Sequence, residues 1–173
     1  MALLLAILPS RNCAAKPYQA IKGESTLSYL LVHPMHKITG VNKDFLCQVE
    51  LSPDTLSSSI KVIAAIAGFD SRNSSRDSHM MEAVEAIKFP RVTFVSESVK
   101  PDSGGYAVSG NLTFHGVTRP VTFHVTPTLG KDKVEITGAF TIKLSDFGVK
   151  PPSLMFVKSH DELTIRFDLF AKP

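Results

Sequence analysis

The chain has 173 residues, of which 43% are apolar and 20% charged, with 11 Phe, 3 Tyr and no Trp. A chain of this length favours one domain that buries about 70% of its unfolded surface, and the apolar content excludes a disordered protein. The formal charge is +3 and the 19 basic residues are scattered, so no basic stripe indicates nucleic-acid binding. No apolar run reaches the length of an integral membrane span.

The N-terminal segment, residues 1–15, contains a continuous apolar run over 2–8 and ends in small residues. This pattern predicts a secretory signal peptide, with the folded domain over 16–173. The apolar run is short and no basic residue precedes it, which leaves open a start inside a longer signal. A buried first strand or helical turn is the alternative interpretation.

Two cysteines are present, Cys13 and Cys47. Removal of a leader after Ala15 would leave Cys47 alone, so neither an internal disulfide nor a metal cluster is expected. Cys47 is therefore predicted to be a small, buried, apolar residue.

From Ser25 onward the dominant hydrophobic period is two, which is typical of strands with one apolar and one polar face. One such run has its apolar face at Tyr106, Val108, Gly110, Leu112 and Phe114. Counting the runs predicts eight strands, near residues 25–33, 38–51, 58–69, 91–99, 105–115, 119–129, 133–144 and 160–170. Mostly short connections with turn residues favour antiparallel neighbours in sequence order.

One segment, residues 75–88, breaks this pattern and predicts a helix. Its apolar residues share one helical face, namely Met80, Ala83, Val84 and Ile87. Ser74 or Ser75 is the expected N-cap, and Asp77 in the first turn suits the helix dipole. Pro90 is expected to end the helix.

Three strands, one helix and five strands predict an all-β fold, an eight-stranded antiparallel barrel with one helical insertion after the third strand. Such a barrel is just wide enough to be filled by side chains or to hold one small ligand. Gly110 and Gly138 on the apolar faces either leave space or mark a bend, so a cavity and a filled core both stay open. A membrane-spanning barrel would need the faces reversed, and the helix and short loops argue against it.

Several motifs then carry a family resemblance. Residues 110–121, read as G-N-L-T-F-H-G-V-T-R-P-V, resemble the signature of the YceI-like family. Further matching segments are Arg76-Asp77-Ser78-His79, the run 88–94 (K-F-P-R-V-T-F), the strand 25–33 with its closing His, Gly40, and Asp146-Phe147-Gly148. The resemblance covers roughly residues 18–170.

The resemblance implies a lipocalin-like barrel in a periplasmic or secreted protein. It also implies a role in binding a polyisoprenoid or similar amphiphilic lipid in an elongated apolar pocket, for storage, transport or protection. It implies no cofactor and no reaction. The chain departs from the family pattern at Leu144, where Arg is usual, in the short stretch between His79 and Pro90, and in the sequence His33-Pro34-Met35-His36.

The candidate tail-binding residues are the inward apolar set, since an isoprenoid tail needs a dry tunnel. They are Leu27, Tyr29, Leu31, Val92, Phe94, Leu112, Phe114, Val121, Phe123, Ile136, Phe140, Ile142, Ile165 and Phe167. The alternative is that these residues only pack in the hydrophobic core and contact no ligand.

The candidate head-group residues at the barrel opening are His33, Arg76, Asp77 and His79. Arginine and free helix N–H groups can hold a phosphate or a quinone-like oxygen. The alternative is that Asp77 caps the helix and pairs with Arg76. His33 and His36 alone make a poor metal site, so no metal is expected.

Three other histidines have structural interpretations. His115 is expected to order its turn through a backbone hydrogen bond, and His124 and His160 are expected to be exposed.

No catalytic motif is present, so we expect a binding protein and no catalytic residues. Two alternatives remain: an enzyme that modifies an isoprenoid lipid through Arg76, Asp77 and His79, and a packed structural or interaction barrel. The expected partner is a long-chain isoprenoid or similar amphiphile, and a homodimer is left open.

Overall fold

The computed structural model describes residues 16–51, 58–154 and 156–172. The predicted signal peptide and Cys13 lie outside these residues. The strands are β1 (Lys16–Ala20), β2 (Thr26–His33), β3 (His36–Asn42), β4 (Phe45–Leu51), β5 (Ser59–Ala65), β6 (Arg91–Asp102), β7 (Gly105–Phe114), β8 (Val117–Leu129), β9 (Val134–Lys143), β10 (Ser153–Leu154), β11 (Val157–Lys158) and β12 (Glu162–Lys172). One α-helix, α1 (Ser74–Ala83), lies between β5 and β6.

The sheet closes into a barrel because β1 pairs with both β4 and β12. Around the ring the order is β1, β4, β5, β6, β7, β8, β9 and β12, and all of these pairings are antiparallel. The strand β2 follows β1 along the same edge of β12, and β3 leads directly into β4, so ten of the twelve strands occupy eight positions in the barrel. The strands β10 and β11 form a separate hairpin. The predicted eight-stranded antiparallel barrel with one helical insertion is confirmed.

Several parts of the strand prediction need correction. The predicted strand over 58–69 ends at Ala65 and is followed by a 3-10 turn, Ile66–Gly68, and the β10–β11 hairpin was not predicted. The predicted strand over 38–51 is two strands, β3 and β4, separated by Lys43 and Asp44. The segment 16–20 forms β1, which the alternation did not reveal. Five residues are too few to show a period, and the pairing that stabilises β1 comes from residues far away in the chain.

The apolar faces of the strands point into the barrel. On β7 the residues Val108, Gly110, Leu112 and Phe114 are buried, and their neighbours are more exposed. On the outer face hydroxyl groups pair across strands, with Ser109 to Thr122 at 2.9 Å and Thr113 to Thr118 at 2.8 Å. Period two therefore assigned the interior face correctly for this part of the barrel.

The two inward glycines do not leave empty space. A side chain at Gly138 would meet the ring of Phe167, and one at Gly110 would meet the backbone at Val95 and Ser96. Next to Gly110, the β6–β7 register shifts between Ser96 and Ser98, which marks a bulge. Glycine is needed at both positions because neighbouring atoms approach closely.

The helix differs from its prediction at both ends. Asn73, not Ser74 or Ser75, is the N-cap, and its side-chain oxygen accepts from the amide of Arg76 at 3.0 Å. The helix ends at Ala83 instead of continuing to residue 88, and Ile87 is fully exposed. The chain leaves the helix through Glu85, at φ +48°, so Pro90 is not what ends it. Within the described residues, no helix has the length and apolarity to cross a membrane.

The chain direction divides the connections between two ends of the barrel. The helix end carries the β2–β3 turn, α1, the β7–β8 turn and the β10–β11 hairpin. The opposite end carries the β6–β7 and β8–β9 turns.

Candidate ligand-binding cavity

The barrel interior is hollow, with a cavity of about 620 Å³. Its wall includes all but one of the predicted tail residues: Leu27, Tyr29, Leu31, Val92, Phe94, Leu112, Phe114, Phe123, Ile136, Phe140, Ile142, Ile165 and Phe167. The exception is Val121, which packs against the core without reaching the cavity. Its partner across β7 is Gly110.

Four phenylalanines form an aromatic cluster on the wall. The ring of Phe123 stacks on Phe140, with centroids 4.7 Å apart and planes 14° from parallel. The ring centroids of Phe94 and Phe167 lie 5.2 Å and 5.7 Å from the centroid of Phe123. Such pairs contribute about 0.5–1.5 kcal/mol each beyond the burial of their area, so the cluster stiffens this side of the cavity.

The wall also contains apolar residues that the prediction did not name. They include Ile38, Phe45, Val49, Ile60, Val62, Val125, Leu144, Leu163 and Leu169. The signal for several was present, because Phe45, Cys47 and Val49 alternate with exposed residues along β4. Leu144 is buried on the wall, so an apolar side chain faces the cavity at the position where the family resemblance suggests arginine.

Exposed residues on the wall mark the mouth of the cavity. They are His36 after the β2–β3 turn, Asn73, Ser75 and His79 around α1, and Pro152 and Ser153 beside the β10–β11 hairpin. All of them belong to the helix end, so the cavity opens there. Most polar side chains of the wall lie at this mouth, and the wall deeper in the barrel is largely apolar.

The ring of His33 is held at the mouth by two backbone hydrogen bonds. Its Nδ1 accepts from the amide of Met35 at 3.2 Å, and its Nε2 lies 3.0 Å from the carbonyl oxygen of Val157. An amide only donates and a carbonyl only accepts, so the proton is on Nε2. His33 is buried, and neither ring nitrogen is free to hold a head group or metal. Among the described residues, no group of three metal-ligating side chains is found.

Arg76 and Asp77 both bind Ser71 rather than each other. The carboxylate of Asp77 accepts from the amide and the hydroxyl of Ser71, and Nε of Arg76 donates to the Ser71 hydroxyl oxygen at 2.8 Å. A further Arg76 N–H donates to the Ser71 carbonyl. The alternative interpretation, in which Asp77 caps the helix and pairs with Arg76, is therefore wrong in both details. Arg76 lines the cavity, and Asp77 does not.

Tyr29 places a phenol on the cavity wall near this network. Burial raises the pKa of Tyr29 to about 12, with the charge of Asp77 also raising it and that of Arg76 lowering it. The hydroxyl is therefore protonated at neutral pH. Its ring lies against Gly40, where any side chain would collide with it. No described residue hydrogen-bonds to this hydroxyl, so it is a donor available to a guest.

The other histidines and Cys47 mostly lie in the environments that the sequence predicted. His115 does make a backbone hydrogen bond, from Nδ1 to the carbonyl of Phe147 at 3.0 Å. His160 is exposed as expected, but His124 is partly buried, with Nδ1 3.4 Å from Asp102 Oδ2. Cys47 is buried as expected, and burial raises the pKa of its thiol to about 12.

The fold and cavity define a class of closed antiparallel β-barrel with one inserted helix and a hollow apolar interior. The profile of the YceI-like domain matches residues 18–171. The chain belongs to this YceI-like family.

Relatives and solved structures agree with this assignment. A UPF0312 protein of Pseudomonas putida strain F1 is 35% identical over 140 residues, 74% of this chain and 69% of that relative. The crystal structure of Burkholderia cenocepacia BcnA has a TM-score of 0.81 and 26% identity, covering 88% of this chain and 99% of that one. A domain of Saccharophagus degradans described as polyisoprenoid binding shares the fold, with a TM-score of 0.64, 14% identity, and coverage of 90% and 97%.

Proposed function

We propose that this protein binds a long-chain polyisoprenoid or a similar amphiphilic lipid in the barrel cavity and holds it for storage, transport or protection. The observation that carries the proposal is the cavity of about 620 Å³ with its apolar wall and polar mouth. This volume lies within the range of about 300–1,000 Å³ typical of ligand sites. The described polyisoprenoid-binding domain of the same fold supports this choice of ligand class.

Water is a poor occupant for such a cavity. At about 30 Å³ per molecule, the volume would take roughly 20 waters, each needing two to four polar partners. Waters inside the cavity would bond to one another, but those against the deep hydrocarbon wall would lose hydrogen bonds. An apolar chain fits instead, since burying it contributes about 0.8 kcal/mol per methylene-sized group before the costs of association.

The polar mouth suits the head group of an amphiphile. We place the head group near the Tyr29 hydroxyl and the exposed His79, which both line the cavity. The tail would then extend toward the aromatic cluster. Arg76 contributes positive charge to this region, although its bonds to Ser71 hold it in place.

We propose binding rather than catalysis. The enzyme alternative uses Arg76, Asp77 and His79 together as its polar group. Two of these three residues are engaged with Ser71 in a network that anchors the start of α1. This engagement favours a structural role for Arg76 and Asp77.

We further propose a periplasmic or secreted location with a leader removed after Ala15. Support comes from the apolar run over residues 2–8 and the small residues Ala14 and Ala15 that follow it. N-terminal sequencing of the mature protein from its native host tests this, with Lys16 as the expected first residue. A mature protein that retains the leader would contradict it.

The main experiment is native mass spectrometry of freshly isolated protein, followed by organic extraction and mass spectrometry of the extract. We expect one apolar molecule per chain that disappears from the native spectrum after extraction. Delipidated protein should then take up a purified polyisoprenoid. An empty extract together with no uptake would refute the proposal.

A matched pair of variants tests the head-group region. The substitution His79→Ala removes a histidine on the cavity wall, and His160→Ala removes an exposed histidine that is not on the wall. We expect only His79→Ala to weaken retention of a lipid with a polar head group, by about tenfold for one hydrogen bond. Retention of a pure hydrocarbon should not change in either variant.

A further inference from the structure

Two turns lie side by side at the cavity mouth. The turn between β2 and β3 contains Pro34 and Met35, and the turn between β10 and β11 contains Phe156. The ring of His33 joins them through the Val157 carbonyl at 3.0 Å. The amide of His160 also donates to the carbonyl of Val32 at 2.8 Å. The two turns therefore form one rim beside the opening.

The rim presents apolar side chains to solvent. Phe156 is 104% exposed and Met35 is 65% exposed, with Val157 exposed beside them. Phe156 also has φ +67°, a backbone conformation that bulky residues rarely adopt. A fully exposed phenylalanine on such a turn contributes nothing to the core. Its position is understandable if a partner covers it.

The charged residues of the two turns and their flanks are lysines. Residues 33–37 and 149–160 contain Lys37, Lys150 and Lys158 and no carboxylate, and the first carboxylates beyond them are Asp161 and Glu162. The described lysines of both segments are exposed. Apolar turn tips between lysines match the interface of an anionic bilayer, where the apolar groups enter the acyl boundary and the lysines meet lipid phosphates.

We propose that this rim docks on the surface of an anionic lipid bilayer and holds the cavity mouth against it. An amphiphile can then pass between bilayer and cavity without crossing bulk water. The inference rests on the proposed function and deepens it by naming the membrane as the surface from which the lipid is exchanged.

The size of the rim favours a bilayer over a protein partner. A stable protein interface needs about 800 Å² from each side, with a broad packed face. The rim offers a few side chains on two turn tips. Insertion of such tips, assisted by neighbouring lysines, suits a lipid surface.

The experiment is flotation of the full chain with vesicles of phosphatidylcholine, alone or mixed with phosphatidylglycerol. We expect binding to the mixed vesicles and a loss of binding at high salt. The double variant Met35→Ser, Phe156→Ser should bind about tenfold more weakly. Its control is Leu129→Ser, which removes an 81% exposed apolar residue at the opposite end of the barrel.

A second pair tests the charges. The variant Lys150→Gln, Lys158→Gln should lose roughly 25-fold in affinity for mixed vesicles, from about fivefold per lysine. The control Lys131→Gln, in the β8–β9 turn at the opposite end, should behave as wild type. Binding that falls equally in the control variants, or no binding to mixed vesicles at all, would overturn the proposal. Self-association that Phe156→Ser abolishes, without vesicle binding, would assign the rim to a second copy of the chain and also overturn it.

Lipid loading separates this proposal from the proposed function. Rim variants should take up polyisoprenoid from detergent micelles normally and fail only to extract it from vesicles. If wild type loads from micelles but never binds vesicles, the rim proposal fails alone. If wild type does not load from micelles, the proposed function fails.

Discussion

Filling the cavity from its wall is the sharpest test of whether the interior is hollow. Val125 on β8 and Val108 on β7 are both buried, at 5% and 0% exposure. Val125 lines the cavity, and Val108 lies in the packed part of the interior. They sit close together, since Tyr106 pairs with Val125 and Val108 pairs with Phe123. The same substitution to Phe can therefore be compared in two neighbouring environments.

The two substitutions should have different effects on stability. Each adds about four methylene-sized groups, worth about 3 kcal/mol when buried without strain. At Val125 the ring can enter the cavity, so we expect the lipid-free variant to be at least as stable as wild type. At Val108 the interior is already filled, so overpacking should destabilise the barrel by about 1–3 kcal/mol.

Lipid affinity should change in the opposite way. The ring in Val125→Phe occupies space that the guest would use, so the guest loses burial of about 3 kcal/mol. That corresponds to about a hundredfold weaker binding. The variant Val108→Phe should keep its affinity, measured under conditions where it is folded.

Urea unfolding of delipidated protein and equilibrium binding of a polyisoprenoid provide the two measurements. We expect Val108→Phe to lose stability and keep its lipid affinity, and Val125→Phe to keep its stability and lose lipid affinity. Equal destabilisation by both variants, with affinity unchanged in both, would show that the interior around Val125 is filled and would refute the reasoning.

Three further predictions concern single residues. Cys47 should resist alkylation at pH 9, since its pKa is raised by burial to about 12, and react once urea unfolds the barrel, with Cys13 replaced by Ser to remove the other thiol. The contribution of the protonated Cys47 thiol to the free energy of unfolding should be complete below pH 9 and decline as the pH rises toward 12. The substitution Ser71→Ala should destabilise by about 1–3 kcal/mol in urea, because it removes a buried donor and acceptor. In Gly40→Ala the new methyl group would collide with the Tyr29 ring, costing about 1–3 kcal/mol and weakening lipid retention.

Each of these predictions has its own control. Cys47→Ala should flatten the alkaline decline, and an unchanged pH profile in that variant would contradict the burial argument. Ser78→Ala, at an exposed helix position, should leave the unfolding free energy within about 0.5 kcal/mol of wild type. Thr39 lies beside Gly40 on β3 and its side chain is exposed, so the substitution Thr39→Ala should leave lipid retention unchanged.

Much of the fold was predictable because alternation is a local property. Leu112 and Phe114, or Ile136 and Ile142, are two or six residues apart, and a strand must place such residues on one face. Short turns between runs then made antiparallel neighbours the simplest arrangement. The inward set and the eight-stranded barrel follow from these two facts. The same reasoning placed most of the predicted tail residues on the cavity wall.

Other features depend on contacts between distant parts of the chain. Val121 shares its strand face with Phe123 and Val125 but does not reach the cavity. Alternation predicts which residues face inward, but it does not predict where along the barrel axis the cavity lies. The helix ends early because Glu85 turns out of it, although helical spacing continues to Ile87. Arg76 and Asp77 are adjacent in the sequence, yet both form hydrogen bonds with Ser71 and not with each other.

The sequence by itself determined which residues face inward and that the strands neighbour one another in order, because both depend on spacing along the chain. Only the tertiary structure decided that the interior is hollow and where it opens. Packing around Val108 and open space beside Val125 arise from the same residue type on the same kind of strand face. The difference lies in how strands from opposite sides of the closed barrel meet, and that distance is a property of the whole ring.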